Sequence, residues 1–217
     1  MWSERDRRYG GLQRRYKNFH GSTVRCLDPV SRKPVAFATE LHYENWLLYW
    51  ARPGVKNLDP SAPKLGCLDS GRQRVIVPDL QFDLQGIEIQ LVVARDGPGL
   101  EVRTHTLQRV ADAHGLRWAI RTRRQIREKP FLISNLDTLR QCSTLHADEP
   151  GQWVRLRVES LLSECHFCTL DQIKERVGVR APDTLVDSVL IGMHRSGEIE
   201  IDLTGGAYGQ KTRISSR

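Results

Sequence analysis

VIVPDLQFDLQGIEIQLVV, residues 75–93, is the stretch whose reading decides the fold. It holds two runs rich in β-branched and aromatic residues, VIVPDLQF and GIEIQLVVA, separated by the short polar turn DLQG at 83–86. Runs of this kind bounded by a glycine-containing turn form a β-hairpin, with Gly86 supplying the permissive backbone. Side chains alternate along a strand, so residues two apart share a face. The hairpin therefore sets Asp79 on one strand and Glu88 with Gln90 on the next.

Upstream, FATELHYENWLLYWA at 37–51 repeats Leu41, Trp46, Leu47 and Trp50 at roughly helical spacing, and Arg-Pro-Gly at 52–54 stops it. Residues 52–72 are rich in proline and glycine and read as loop, with one short strand at Val55–Leu58. Downstream come a loop at 95–99, a helix over Glu101–Ala113 closed by His114-Gly115, and a strand LRWAIR at 116–121. A helical segment, Arg124–Gln141, follows and is broken by Pro130. This alternation predicts an α/β domain with a mixed sheet flanked by helices.

The polar stretch from His146 to Gly151 marks a domain boundary. Beyond it, Trp153–Leu162, Leu170–Val177 and Asp183–Ser196 are helical patterns, followed by a strand pair, GEIEIDL and YGQKTRI, around Gly205-Gly206. Three helices and a hairpin make a small winged-helix domain. The expected organisation is a basic arm at 1–35, an α/β domain at 36–147 and the winged helix at 148–217.

The 217 residues suit one larger core and a smaller module. No apolar run approaches the roughly 18 residues a membrane span needs, which excludes a membrane protein. The N-terminus, MWSERDRRYGGLQRRYKNF, lacks the apolar core of a secretory signal, so a cytoplasmic location is expected. A net charge of +7, concentrated in Arg5–Lys33 and Arg117–Lys129, points to a polyanionic partner, nucleic acid first. The 5 cysteines are odd in number and expected to be reduced. Cys165 and Cys168 form a CxxC without a second ligand pair at matching spacing, and read as structural thiols rather than a zinc site.

Phosphodiester cleavage at neutral pH is commonly helped by a cation that stabilises developing charge and activates water. Magnesium and its relatives take oxygen ligands. Asp79 and Glu88 are placed to share one such ion, with the main-chain carbonyl of Ile89 as a third ligand. On the preceding helix Glu40 and Glu44 lie four apart on one face. Either can be aimed at the same ion; Glu44 is favoured for the apolar run that follows it. Taken singly, Asp79 also fits a turn cap and Glu88 a solvent-facing strand residue.

Taken in order, these features resemble the TnsA-type heteromeric transposase endonuclease subunits of the restriction-endonuclease-like PD-(D/E)XK superfamily. The features are Glu-x-x-x-Glu on an apolar helix, Val-Pro-Asp, Glu-Ile-Gln, then HGLRWAIRT and NLDTLR, with WVRL, LDQI and SGEIEIDL behind them. The resemblance covers most of the chain beyond the arm. It implies a restriction-endonuclease-like mixed sheet followed by a winged helix, and catalytic acids at Glu44, Asp79 and Glu88. It implies Mg2+ or Mn2+ as cofactor, double-stranded DNA at transposon ends as substrate, and cleavage at the 5′ ends of the element. The implied partners are a TnsB-like DDE transposase and a TnsC-like AAA+ ATPase.

Gln90 departs from the family pattern, which has lysine there to orient water and stabilise negative charge; a neutral amide only hydrogen-bonds. A basic group from elsewhere, Arg95, Arg121 or Arg123, is one substitute; a catalytically silent, architectural subunit is the other reading. Arg117, Arg121, Arg123, Arg124, Arg127 and Lys129 flank a strand end near the acids, placed to hold DNA backbone without reading sequence. The expected recognition helix, Asp183–Ser196, carries Asp183 and Asp187 against only His194 and Arg195 as basic groups. This charge pattern suits a protein partner as much as a DNA groove.

Overall fold

In a computed structural model the chain is described over residues 23–94, 99–149, 151–178 and 180–217. Most of the expected N-terminal arm, and Arg95, lie outside the described residues. The chain divides into two compact units. One comprises the described residues up to Cys26, Pro34–Tyr49 and Val55–Ile126; the other is Leu27–Lys33, Trp50–Gly54 and Arg127–Arg217.

The first unit is a mixed sheet flanked by helices. After a two-stranded ladder of β1 (Val24–Leu27) and β2 (Pro34–Phe37) comes helix α1 (Glu40–Trp50). Strands β3 (Lys56–Asp59), β6 (Leu80–Asp83), β7 (Ile87–Val93) and β8 (Arg117–Thr122) then form a sheet in the order β3-β6-β7-β8. The pairs β3–β6 and β6–β7 are antiparallel, and β7–β8 is parallel. A parallel pair needs a crossover, and α2 (Leu100–His114) provides it, ending on Gly115 in the left-handed region at φ 63°.

The expected hairpin of residues 75–93 is present, with Leu80 opposite Gln90 and Asp83 opposite Ile87. Its first strand is interrupted, however. Strand β5 (Arg72–Ile76) ends before Pro78, whose nitrogen has no hydrogen for the ladder, and β6 starts after it. Strand β5 pairs instead with β4 (Leu65–Asp69) around a turn where Ser70 and Gly71 sit at φ 51° and 76°. Residues 52–72 thus contain the expected short strand, as β3, and also β4 and the start of β5, which were expected to be loop. Two positive φ angles are what a tight hairpin turn needs, and Ser-Gly supplies them.

Strand β7 is buried on both faces. Ile89 and Leu91 pack with Ile76 and with Leu107, Val110 and Ala111 of α2. Val92, on the alternate face, packs with Leu41 and Leu48 of α1 and with Ile126 of α3 (Arg123–Ile126). The two helices therefore cover opposite faces of one strand, and each fully buried leucine or isoleucine contributes about 1.5–3 kcal/mol. On the α1 face Glu88 and Gln90 stand in line with Val92.

The main segment of the second unit starts at Arg127, earlier than the expected boundary at 147/148. Pro130 divides the segment expected over Arg124–Gln141 into α3, in the first unit, and α4 (Leu132–Leu145) in the second. Asn135 ties α4 to the second unit: its Nδ2 donates to the carbonyls of Leu203 (3.0 Å) and Gly206 (2.7 Å), and its Oδ1 accepts from Tyr208 N (2.8 Å). Helices α5 (Gln152–Glu164), α6 (Leu170–Val177) and α7 (Asp183–Ser196) follow. Strands β9 (Phe167–Thr169), β10 (Ile199–Ile201) and β11 (Arg213–Ser216) make an antiparallel sheet in the order β10-β11-β9. Thr169 and Gln172 close a reciprocal capping box at the start of α6. The three helices fall where the sequence put them; of the strand pair, the first is shorter than expected, the second lies at Arg213–Ser216 rather than over 208–214, and β9 is a third strand that was not expected. No helix among the described residues is long and apolar enough to cross a membrane.

Candidate active site

Helix α1 lies against the Glu88, Gln90 and Val92 face of β7, and its polar residues meet that face. Asn45, fully buried, donates through Nδ2 to Gln90 Oε1 at 3.0 Å. Gln90, also fully buried, donates through Nε2 to Glu88 Oε1 at 2.7 Å. Arg117 of β8 donates to the other Glu88 oxygen at 2.5 Å, which the parallel register explains by setting Glu88 beside Arg117. Arg121, four residues along β8, donates to Asn45 Oδ1 at 3.3 Å, with its guanidinium 5.8 Å from the Tyr49 ring. A continuous polar chain thus runs Arg121–Asn45–Gln90–Glu88–Arg117 between helix and sheet. Low local dielectric strengthens each link.

Asp79 sits just before β6, where Pro78 has broken the strand. Its amide still donates to Gln90 O at 2.8 Å, and its Oδ2 accepts from Val92 N at 2.8 Å. Its Oδ1 faces His42 Nε2 of α1 at 3.4 Å, and the two side chains are only 7% and 15% exposed. The other ring nitrogen of His42, Nδ1, is 2.7 Å from Thr39 Oγ1.

The structure thus brings Glu88, Gln90, Arg117 and Arg121 into one network and holds Asp79 on the adjoining main chain. Of the two helix acids, Glu44 is buried and Glu40 exposed. Ile89 has its side chain in the core on the α2 side, and its main chain lies between Gln81 of β6 and Trp118 of β8. Among the expected DNA contacts, Arg117 is half exposed, and Arg123 and Arg124 of α3 are exposed. Arg127 and Lys129, also exposed, belong to the second unit. Of the proposed lysine substitutes among the described residues, Arg121 joins the network.

Two members were not anticipated, His42 and Asn45. Their signal in the sequence is a pair of polar residues three apart inside the apolar run LHYENWLLYW. A buried polar side chain on such a helix needs a partner, but the partner cannot be named before the register is known.

As cation donors, Asp79 and His42 face each other directly, whereas both Glu88 oxygens already accept from Gln90 and Arg117. Among the described residues no group of three or more His, Cys, Asp or Glu is arranged to hold a metal ion. Any ion here would complete its shell with main-chain, water or phosphate oxygens, as magnesium commonly does.

In the second unit, Cys168 is buried, and burial followed by the neighbouring Cys165 pushes its thiol up to about 11. Helix α7 is committed internally. Leu185, Val186, Leu190, Ile191 and Met193 are buried, and Asp187 accepts from the Tyr208 hydroxyl at 2.8 Å and pairs with Lys174 at 3.3 Å. Arg195 donates to Trp50 O at 2.7 Å, and His194 Nδ1 is 3.4 Å from Ile201 N, burial lowering its proton affinity. Its two basic residues are therefore engaged within the protein. No known family model matches the chain, and no curated protein matches it in sequence.

Proposed function

We propose that this chain is a metal-dependent DNA endonuclease subunit of a multi-subunit cut-and-paste transposition complex. In this reading it cleaves at the 5′ ends of the element beside a TnsB-like DDE transposase, with a TnsC-like AAA+ ATPase as a further partner. The first unit is a restriction-endonuclease-like nuclease domain and the second a winged-helix module. The observation that carries the reading is the placement of Asp79. The acid of the Pro-Asp pair is held at a strand break, one oxygen pinned by Val92 N and the other facing a helix side chain, next to a polar network ending in two arginines.

Residue roles follow from that geometry. The Val92 amide orients the Asp79 carboxylate, and Asp79 with His42 supplies the cation donors. When bound, Mg2+ or Mn2+ would neutralise charge on the scissile phosphate and lower the pKa of a water. Arg117, half exposed at the edge of the network, and exposed Arg123 and Arg124 hold the DNA backbone. Arg121 stands in for the missing lysine by bringing a fixed positive charge to Asn45 and Gln90. With the basic residues of α7 engaged internally, the second unit is assigned to a protein partner more than to a DNA groove.

One observation favours the silent architectural reading: Gln90 and Arg117 occupy both oxygens of Glu88, the acid expected to hold metal with Asp79. The two readings part in a nicking assay on supercoiled transposon-end DNA with Mg2+ or Mn2+, run with and without the companion transposase. Metal-dependent nicking lost in Asp79→Ala supports the nuclease. Nicking that survives Asp79→Ala refutes the site. Nicking absent from every wild-type mixture and gained by Gln90→Lys supports the architectural subunit.

A further inference from the structure

We infer that the outer face of α5 is a docking groove for an acidic protein segment carrying a large apolar anchor. The inference rests on the assignment of the second unit to a protein partner, and it names the surface and the partner's chemistry.

Helix α5 carries apolar residues on two sides. Val154, Val158 and Leu162, four apart, are buried and hold the helix on its own unit. A helix with one face to cover needs no more, yet Trp153 and Leu156 stand on the outer side, 40% and 58% exposed. Arg157 and Ser160, four and seven residues after Trp153, share that face, and both are exposed. Arg180, from the segment between α6 and α7, joins them, and these five residues line a groove of about 580 Å³. Tryptophan and arginine are the residue types that carry most energy at protein interfaces, and here they lie together around a concave surface.

Charge selects the occupant. Basic groups on the neighbouring segments are matched: Arg155 with Glu159 at 3.0 Å, Arg176 with Glu164 at 2.9 Å and Lys174 with Asp183 at 3.1 Å. Among the described residues Arg157 and Arg180 pair with no carboxylate, and the groove lining includes no acid. Two unmatched guanidinium groups beside an apolar floor fit carboxylates beside an apolar side chain. A second copy docked through the same patch would bring positive charge to positive charge. The sequence before residue 23 is itself basic and meets the same repulsion. Duplex DNA is held by neutralising many phosphates over a broad basic surface, which two arginines around a tryptophan and a leucine do not make.

The test is selection of random short peptides, displayed on phage, against the immobilised full chain. The triple variant Trp153→Ala/Arg157→Glu/Arg180→Glu serves as the counter-target, its fold checked by amide NMR. The wild type is expected to recover peptides that combine Trp, Phe or Leu with Asp and Glu, and the triple variant to lose them. Trp153→Ala alone should weaken the best peptide at least about tenfold, read by fluorescence polarisation. Arg157→Glu/Arg180→Glu should weaken it likewise, and a peptide with its acids changed to lysine should bind that double variant better than the wild type. Such a reversal does not arise from a damaged fold. Peptides recovered equally by wild type and triple variant overturn the groove and leave the partner assignment standing. Peptides with no excess of acidic residues, or self-association in sedimentation that Trp153→Ala abolishes, overturn the acidic occupant. Recovery of no peptide overturns the groove, and if Arg157→Glu/Arg180→Glu also lowers affinity for duplex DNA, the partner assignment falls with it.

Discussion

Replacing Gln90 with leucine keeps the side-chain size and removes both ends of a fully buried amide. The neutral hydrogen bond from Asn45 is worth about 1 kcal/mol and the charge-assisted one to Glu88 about 2 kcal/mol. Leaving buried Asn45 Nδ2 without that acceptor adds about 1 kcal/mol, and the more apolar leucine returns about 1 kcal/mol. The expected net loss is about 3 kcal/mol, confined to the first unit. Because the chain has two units, a single melting curve mixes them, so native-state hydrogen exchange of the Ile89 and Leu91 amides is the better assay. A loss of about 3 kcal/mol accelerates exchange through opening roughly a hundredfold. Gln90→Lys retains a donor for Glu88 but offers Asn45 no acceptor, and should fall between wild type and leucine. Exchange in Gln90→Leu within about threefold of wild type would refute the claim that this amide bridges helix and strand.

Three further outcomes are expected in the second unit. Burial raises the proton affinity of Asp187 above its ordinary value, so its contribution to stability is full at low pH and lost as pH rises through the raised value. The urea midpoint of the unit should fall as pH rises above the ordinary carboxylate range, and Asp187→Asn should flatten that fall; an unchanged slope would remove Asp187 as its cause. Cys168, with its thiol near 11, stays protonated at about pH 8 and should be alkylated far more slowly than Cys165, as read by mass spectrometry of the native protein. The stability linked to this thiol is present below its ordinary value and lost as pH climbs through about 11. Equal labelling of the two cysteines would contradict its burial. Finally, Gly151 sits at φ 36°, and a Cβ there would meet Val189 Cγ2 of α7. Gly151→Ala should cost about 2 kcal/mol, and adding Val189→Ala should recover the steric share; additive losses in the double-mutant cycle would exclude the clash.

Local sequence determined the elements whose signals are local. The run 75–93 specified a hairpin because alternation and a glycine turn act over a few residues, and α1, α2 and the three later helices followed from apolar spacing. The placement of Asp79 and Glu88 on the two arms of that hairpin was legible for the same reason. The β4–β5 hairpin was not, because a two-residue Ser-Gly turn inside a proline-rich stretch gives no periodicity to read. Nor was the unit boundary, since long-range contacts such as Asn135 bonding to the chain near Leu203, Gly206 and Tyr208 assign α4 to the second unit. The same limit applied at the site. Read as a sequence position, Gln90 is a missing lysine. In three dimensions it is the joint between Asn45 and Glu88, and His42 rather than Glu88 faces Asp79. Such pairings depend on which face of α1 meets which face of β7, a long-range choice fixed by burying Leu41 and Leu48 against Val92, and no short window of sequence contains it.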